Sequence, residues 1–220
     1  MKRWQTIAIA AAGIAAGAYV YLNWETLPLG FLHSSRSSES SGVETPVSSG
    51  HPAKMNWQTS NRPDDGFKIE FPAEPKEVQV PAYNEAGSSE PIKMLFASPD
   101  GDTTFALSWA DNPPVSRISN RLPDKTLDMA RDGMLVRTRT TLTNESRILS
   151  SGFPARDIAA RNGDGGILDA RLIFTGDRLY TLMALFPSSQ ARREQDVVRF
   201  FNSFAASKLP GTALPTASGP

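Results

Sequence analysis

The sequence predicts an α+β domain, an antiparallel β-sheet flanked by helices, preceded by a single N-terminal transmembrane helix. Three observations predict it: one uncharged stretch near the N-terminus, several alternating segments separated by short turns, and two helical segments among them. Antiparallel strands interrupted by helices are typical of α+β folds and not of doubly wound parallel ones. We expect four segments: a signal anchor (1–24), a linker (25–56), the folded domain (57–208) and a tail (209–220).

The N-terminal segment has the features of a signal anchor. Lys2 and Arg3 precede 21 residues without charge, from Trp4 to Trp24. A helix of that length spans about 30 Å, the thickness of a bilayer's hydrocarbon core. The two tryptophans suit its two interfaces, and the basic residues favour a cytoplasmic N-terminus. We therefore expect a single-pass protein of the bacterial cytoplasmic membrane, with its domain facing the periplasm.

Cleavage of this segment is the open alternative. Ala16-Gly17-Ala18 matches the small-x-small pattern of signal peptidase sites, and cleavage there would release a secreted periplasmic protein. The chain stays apolar and aromatic through Leu22, which favours the anchor. Gly13 and Gly17 have the G-x-x-x-G spacing at which two such helices pack closely, so weak self-association through this segment is a further expectation.

The linker and tail contain few side chains that a core could bury. Residues 25–56 are rich in Ser, Gly and Pro, and 209–220 have a similar composition. A coil of about 28 residues has a root-mean-square span of roughly 30 Å. The predicted role of the linker is therefore to let the folded domain extend over this distance from the membrane.

Alternation and turn signals predict the elements of the domain. Residues 66–71 alternate between apolar and polar until Pro72 ends the strand. Residues 93–98 and 103–110 flank a Pro-Asp-Gly-Asp turn, which indicates a hairpin. Leu127, Ala130 and Met134 recur at helical spacing. The remaining predicted elements are a helix over 123–136, strands over 141–149, 155–161, 166–175 and 178–186, and a helix over 189–204.

Several kinds of chemistry are excluded by composition. The chain has no Cys, and its two histidines, His33 and His51, lie in the linker. The domain therefore lacks the residues of Ser-His-Asp or Cys-His catalysis and of His- or Cys-ligated zinc. The charge balance, 23 basic against 23 acidic residues, argues against nucleic-acid binding. Asp100-Gly101-Asp102 is typical of a turn more than of a metal site. We expect no catalytic residue, metal or cofactor.

Arginine dominates the cations of the second half of the domain. Of the 13 basic residues in 124–208, 11 are Arg. Two interpretations stay open. In the first, the following arginines lie on solvated faces: Arg131, Arg147, Arg161, Arg171 and Arg193. In the second, an arginine-bearing surface recognises carboxylates or phosphates. For such a surface, Arg137 and Arg139 are the predicted partner-binding residues.

Four motifs, in order, resemble those of the Mog1/PsbP-like superfamily, which includes bacterial PsbP-like and DcrB-type envelope proteins. They are Phe67-Lys-Ile-Glu-Phe-Pro-Ala-Glu-Pro75, Gly152-Phe-Pro-Ala-Arg156, Asp177-Arg-Leu-Tyr180 and Arg199-Phe-Phe-Asn-Ser-Phe204. The resemblance covers about 57–208. It implies an antiparallel sheet flanked by helices, and a theme of binding other proteins without catalysis. In this resemblance Arg178 and Tyr180 lock the last hairpin against the terminal helix.

The expected function is a membrane-tethered, extracytoplasmic, non-catalytic binding or assembly module that contacts an envelope protein. The alternative is an envelope protein that binds or hydrolyses a small molecule through carboxylates and arginines on an open sheet face. Fold alone does not decide between them.

Overall fold

Ten strands and two helices make up the part of the chain that the computed structural model describes, which is residues 55–80, 92–111, 123–176 and 178–207. The helices are α1 (Pro123–Thr138) and α2 (Glu194–Ser203). The strands are β1 (Gln58–Arg62), β2 (Phe67–Phe71), β3 (Lys76–Val80), β4 (Ile92–Ala97), β5 (Thr104–Asp111), β6 (Thr140–Ser150), β7 (Phe153–Asn162), β8 (Ile167–Phe174), β9 (Arg178–Phe186) and β10 (Ala205–Ala206).

All strand pairs are antiparallel and form two sheets. Seven strands lie in the order β3-β4-β5-β9-β8-β7-β6, and three in the order β1-β2-β10. The predicted α+β class is confirmed for these residues. The predicted transmembrane helix lies outside them, as do Trp4, Gly13, Gly17 and Trp24. Neither described helix has the length and apolar character needed to cross a membrane.

The large sheet has an apolar core on each face. On one side, α2 and the small sheet pack Phe67, Phe71 and Phe200 against Phe105 of β5. On the other, α1 packs through Leu127 and Met134 against β6, β7 and β8. Alternate residues of the central strands therefore point into different cores, and β8 and β9 are buried along nearly their whole length.

Most element boundaries agree with the sequence prediction, and the β4–β5 hairpin shows why. The Asp100 carboxylate accepts hydrogen bonds from the Asp102 and Thr103 amides at 3.1 and 2.7 Å, and Gly101 has a φ of +84°. Asp and Gly therefore supply the turn, as predicted. Strand β9 has its predicted bounds.

Three predicted details are wrong. The β6–β7 turn is Ser151-Gly152, both at positive φ, so that β7 begins at Phe153 and not at residue 155 as predicted. The terminal helix begins at Glu194 and not at 189. Strands β1, β3 and β10 were not predicted, because they are only two to five residues long and depend on pairing with a neighbouring strand.

Candidate partner-binding surface and its supporting clusters

Strand β7 carries a buried arginine that holds α1 and β6 together. Arg156 is 3% exposed, and its guanidinium pairs with Asp124 at 3.0 Å, Asp128 at 2.7 Å and Glu145. The two aspartates lie four residues apart on one side of α1. Arg131 of α1 also donates to Glu145, at 2.7 Å. We call Asp124, Asp128, Arg131, Glu145 and Arg156 the buried charge cluster.

The contacts of the cluster favour the ionised forms of Glu145 and Arg156. Desolvation raises the pKa of Glu145, but hydrogen bonds from Arg156 and Arg131 outweigh it, so this pKa lies below its ordinary value. Desolvation lowers the pKa of Arg156, but the hydrogen bond to Glu145 and the charge of Asp128 leave it above its ordinary value. Nε of Arg156 is buried without a hydrogen-bond partner. The carboxylates of the cluster are thus committed to holding the fold.

A second polar cluster locks the turn between β1 and β2. Arg178 donates to the carbonyl oxygen of Asp65 at 2.5 Å and to the Asp111 carboxylate at 2.7 Å. The Tyr180 hydroxyl donates to the carbonyl oxygens of Asp65 and Gly66, each at 3.1 Å. Desolvation, the largest effect, raises the pKa of this phenol. Arg178 and Tyr180 therefore hold mainly the β1–β2 turn in place, whereas the family resemblance implied that they lock the last hairpin against the terminal helix.

Tyr180 also contacts the end of the terminal helix. Its ring lies 5.1 Å from that of Phe204, the residue that follows α2. Of the two motif residues, Tyr180 thus contacts the end of the terminal helix, whereas Arg178 is used by the β1–β2 turn and by Asp111.

Several arginines expected on solvated faces are instead enclosed in ion pairs. Arg171 forks onto Asp157 with bonds of 2.7 and 2.8 Å, and its guanidinium lies 5.2 Å from the Phe201 ring centre. Arg193 pairs with Asp196 at 3.0 Å. Arg147 and Arg161 are exposed, as that interpretation expected. The role of Arg156 was not predicted from the sequence. The pattern that could have indicated it is an Arg at a core-facing position of β7, together with Asp124 and Asp128 spaced for one face of a helix.

The predicted partner-binding residues lie together at the junction of α1 and β6. Arg137 occupies the last turn of α1 and is half-buried, whereas Arg139 follows the helix, exposed, at a φ of +51°. Arg161 of β7 is also exposed and lies at this end of the sheet, because its register partner on β6 is Thr141. We call Arg137, Arg139 and Arg161 the arginine corner.

The described chain begins at this same end of the sheet. Arg161 pairs with Ile167, and Ile167 pairs with Phe186, which places the corner beside the end of β9. The turn of the hairpin before β5 lies at this end too. The Arg193 guanidinium lies 3.5 Å from the Asp100 carboxylate of that turn and 3.6 Å from the sulfur of Met55. A tether that precedes residue 55 would therefore join the domain at the end that carries the arginine corner.

Metal-ligand geometry is not found within the described ranges, where no three His, Cys, Asp or Glu side chains converge as ligands. The carboxylates on the large sheet pair with arginines: Asp169, buried on β8, accepts from Arg192 at 2.6 and 3.2 Å. What the arrangement offers to a partner is thus an exposed cationic corner, with guanidinium groups suited to carboxylates or phosphates.

The described domain belongs by architecture to the α+β class. Among solved structures, the chain is similar to the solution structure of cyanobacterial PsbP from Synechocystis sp. PCC 6803. The TM-score is 0.47 at 15% sequence identity, over 74% of this chain and 98% of that one. The likeness concerns the fold alone. No family model and no curated protein matches the sequence.

Proposed function

We propose that the domain is a non-catalytic binding or accessory module that acts through protein–protein contacts, held at the outer face of a bacterial cytoplasmic membrane by residues 1–24. The observation that carries the binding function is the arginine corner. Its exposed Arg139 and Arg161 present guanidinium groups at one end of the sheet. A partner with clustered carboxylates fits them, since guanidinium binds carboxylate through two parallel hydrogen bonds.

The buried charged residues pair with other side chains of the same domain, which supports the arginine corner as the binding surface. Arg156, Asp169 and Arg178 are buried, and each pairs with an oppositely charged side chain of the same domain. Removing any of them would change stability first. Outside these clusters, Arg139 and Arg161 are exposed, and the register of β6 and β7 places both at the same end of the sheet.

A capture experiment with matched variants tests the binding function. Full-length protein is purified from membranes and its companions are identified by mass spectrometry. We expect Arg139→Asn with Arg161→Gln to lose the partner that the wild type captures. Asn suits a positive φ, so the first change preserves the turn. The control, Lys68→Gln with Lys125→Gln, removes two exposed charges elsewhere and should retain the partner. Equal capture by both variants would refute the role of the corner.

Topology requires a separate measurement. In intact spheroplasts, added protease should degrade the domain, and the mature protein should keep the mass of the uncleaved chain. A protease-resistant domain would overturn the outward orientation, and a mass that lacks the first 18 residues would replace the anchor with a cleaved signal.

A further inference from the structure

Strand β6 ends the large sheet and has one partner, β7, in the part of the chain that the structure describes. It is 11 residues long, about 36 Å at the rise of an antiparallel strand. The outer backbone amides and carbonyls of such an edge are a template for another strand. We call the side of β6 away from β7 the β6 edge.

The usual protection of an edge strand is only partial here. A bulge between Leu142 and Asn144 breaks the register near the start of β6. From Asn144 to Ser150 the register with β7 is unbroken, which leaves seven regular residues. Leu149, within this stretch, is 75% exposed. The second half of β6 is therefore geometrically able to accept a strand.

The charges of this stretch select a second copy of the same strand. Glu145 and Arg147 are two residues apart and lie on the α1 face, because both pair with residues that bind there. If two copies of β6 run antiparallel about a two-fold axis at Ser146, each Glu145 lies directly opposite the Arg147 of the other copy. Axes at residue 145 or 147 would instead oppose like charges, which destabilises cross-strand pairs.

The positions of the two side chains suit this register. Glu145 is held in place by Arg131 and Arg156 and is 19% exposed, whereas Arg147 is 71% exposed. Arg147 reaches Asp124 at 3.2 Å, and an arginine has donors for a second carboxylate. On the other face of the sheet the axis would pair the Ser146 residues, and Asn144 would lie opposite Ile148.

We infer that the β6 edge is a homodimer interface, in which β6 pairs with β6 of a second copy in register about Ser146 and extends the large sheet across both molecules. The ladder covers about five residues from each copy, which is short of the area of stable interfaces. The dimer should therefore be weak and depend on protein concentration. This inference does not rest on the proposed function.

The absence of Cys from the chain provides a direct test. Cβ atoms of directly opposite residues in antiparallel strands lie about 4.5–5.5 Å apart. Purified full-length Ser146→Cys should therefore form a disulfide-linked dimer under mild oxidation. The matched control, Thr141→Cys, is exposed on the same strand, but the two copies of residue 141 would lie about 33 Å apart. We expect at least tenfold more dimer from Ser146→Cys, and equal yields from the two variants would overturn the register.

The charge pairing is tested in the Ser146→Cys background. Arg147→Glu places glutamates opposite one another and should reduce cross-linking at least tenfold, whereas Arg147→Lys should keep it. The control Lys68→Glu makes the same charge change at an exposed position of β2 and should also keep it. Unchanged cross-linking with Arg147→Glu would refute the pairing. Cross-linking of Ser146→Cys in cells to a different protein, and not to itself, would refute the second copy as occupant.

Discussion

Removing Glu145 is the sharpest perturbation of the buried charge cluster. Arg156 is 3% exposed and would keep Asp128 at 2.7 Å and Asp124 at 3.0 Å, which are themselves 42% and 56% exposed. Breaking a buried ion pair by removing one partner costs about 3–5 kcal/mol, because a desolvated charge is left behind. Since two of three partners remain, we expect Glu145→Ala to lower the free energy of unfolding by about 2–3 kcal/mol.

A second change should reverse part of that loss. In the Glu145→Ala protein, Arg156→Met removes the buried charge that has lost one of its three partners and fills its volume with an apolar side chain. Replacing buried ions by apolar groups of similar volume is often neutral or stabilising. The double variant should therefore be about 1 kcal/mol more stable than Glu145→Ala alone. Independent sites would give the opposite result, a double variant less stable than either single one.

Urea unfolding of the full-length protein, followed by circular dichroism, measures these changes as midpoint shifts at constant m. Arg147→Ala is the matched control, since Arg147 is on the same strand and also contacts Asp124, but is 71% exposed. It should cost less than about 1 kcal/mol, as exposed ion pairs do. If Glu145→Ala costs no more than this control, or if Arg156→Met destabilises it further, the reasoning is refuted.

Three further predictions concern pH, a turn and the core. Because the folded pKa of Glu145 lies below its ordinary value of 4.5, its stabilisation is full above that pH and is lost as the pH falls through the folded pKa. The stability difference between the wild type and Glu145→Gln, from urea midpoints at pH 7 and pH 3, should therefore shrink at pH 3; a constant difference would contradict this. Ser151→Asn should raise the free energy of unfolding by about 0.5–1 kcal/mol, because Asn-Gly suits a two-residue hairpin loop with both φ angles positive. Thermal unfolding measures this change, and a melting temperature below that of the wild type would contradict the prediction. Phe200→Ala should cost about 3–5 kcal/mol in urea unfolding, since its fully buried ring packs on three other rings, against less than about 0.5 kcal/mol for exposed Val198→Ala; similar costs would argue against this core.

Sequence patterns predicted the elements whose signals are local. Strand β9 and the β4–β5 hairpin follow from alternation and from Asp and Gly in the turns, which act within a few residues. The polar strand β1 carries no such signal, and its strand conformation depends on pairing with β2. The start of α2 was placed too early, because the backbone of Arg193 is extended, with φ −111° and ψ 101°, and the side chain of the preceding Arg192 pairs with Asp169 of β8.

The candidate site was predicted only in part. Arg137 and Arg139 were identified from their spacing, but that Arg161 joins them follows from the register of β6 and β7. The sequence also could not separate exposed arginines from enclosed ones. Arg147 and Arg156 are nine residues apart, directly opposite on paired strands and on one face, yet one is 71% exposed and the other 3%. The difference is the position of α1 above β7, which is a property of packing.

The sequence by itself determined the α+β class, the order of most elements and the absence of cysteine chemistry, because hydrophobic period, turn residues and composition are properties of short stretches or of the whole chain. Only the tertiary structure decided which charges pair with buried Arg156, which arginines lie at the same end of the sheet and that β6 ends the sheet. These features depend on contacts between residues far apart in the chain. Many alternative strand pairings satisfy the same local patterns. The apolar cores on the two faces of the large sheet select one of these pairings.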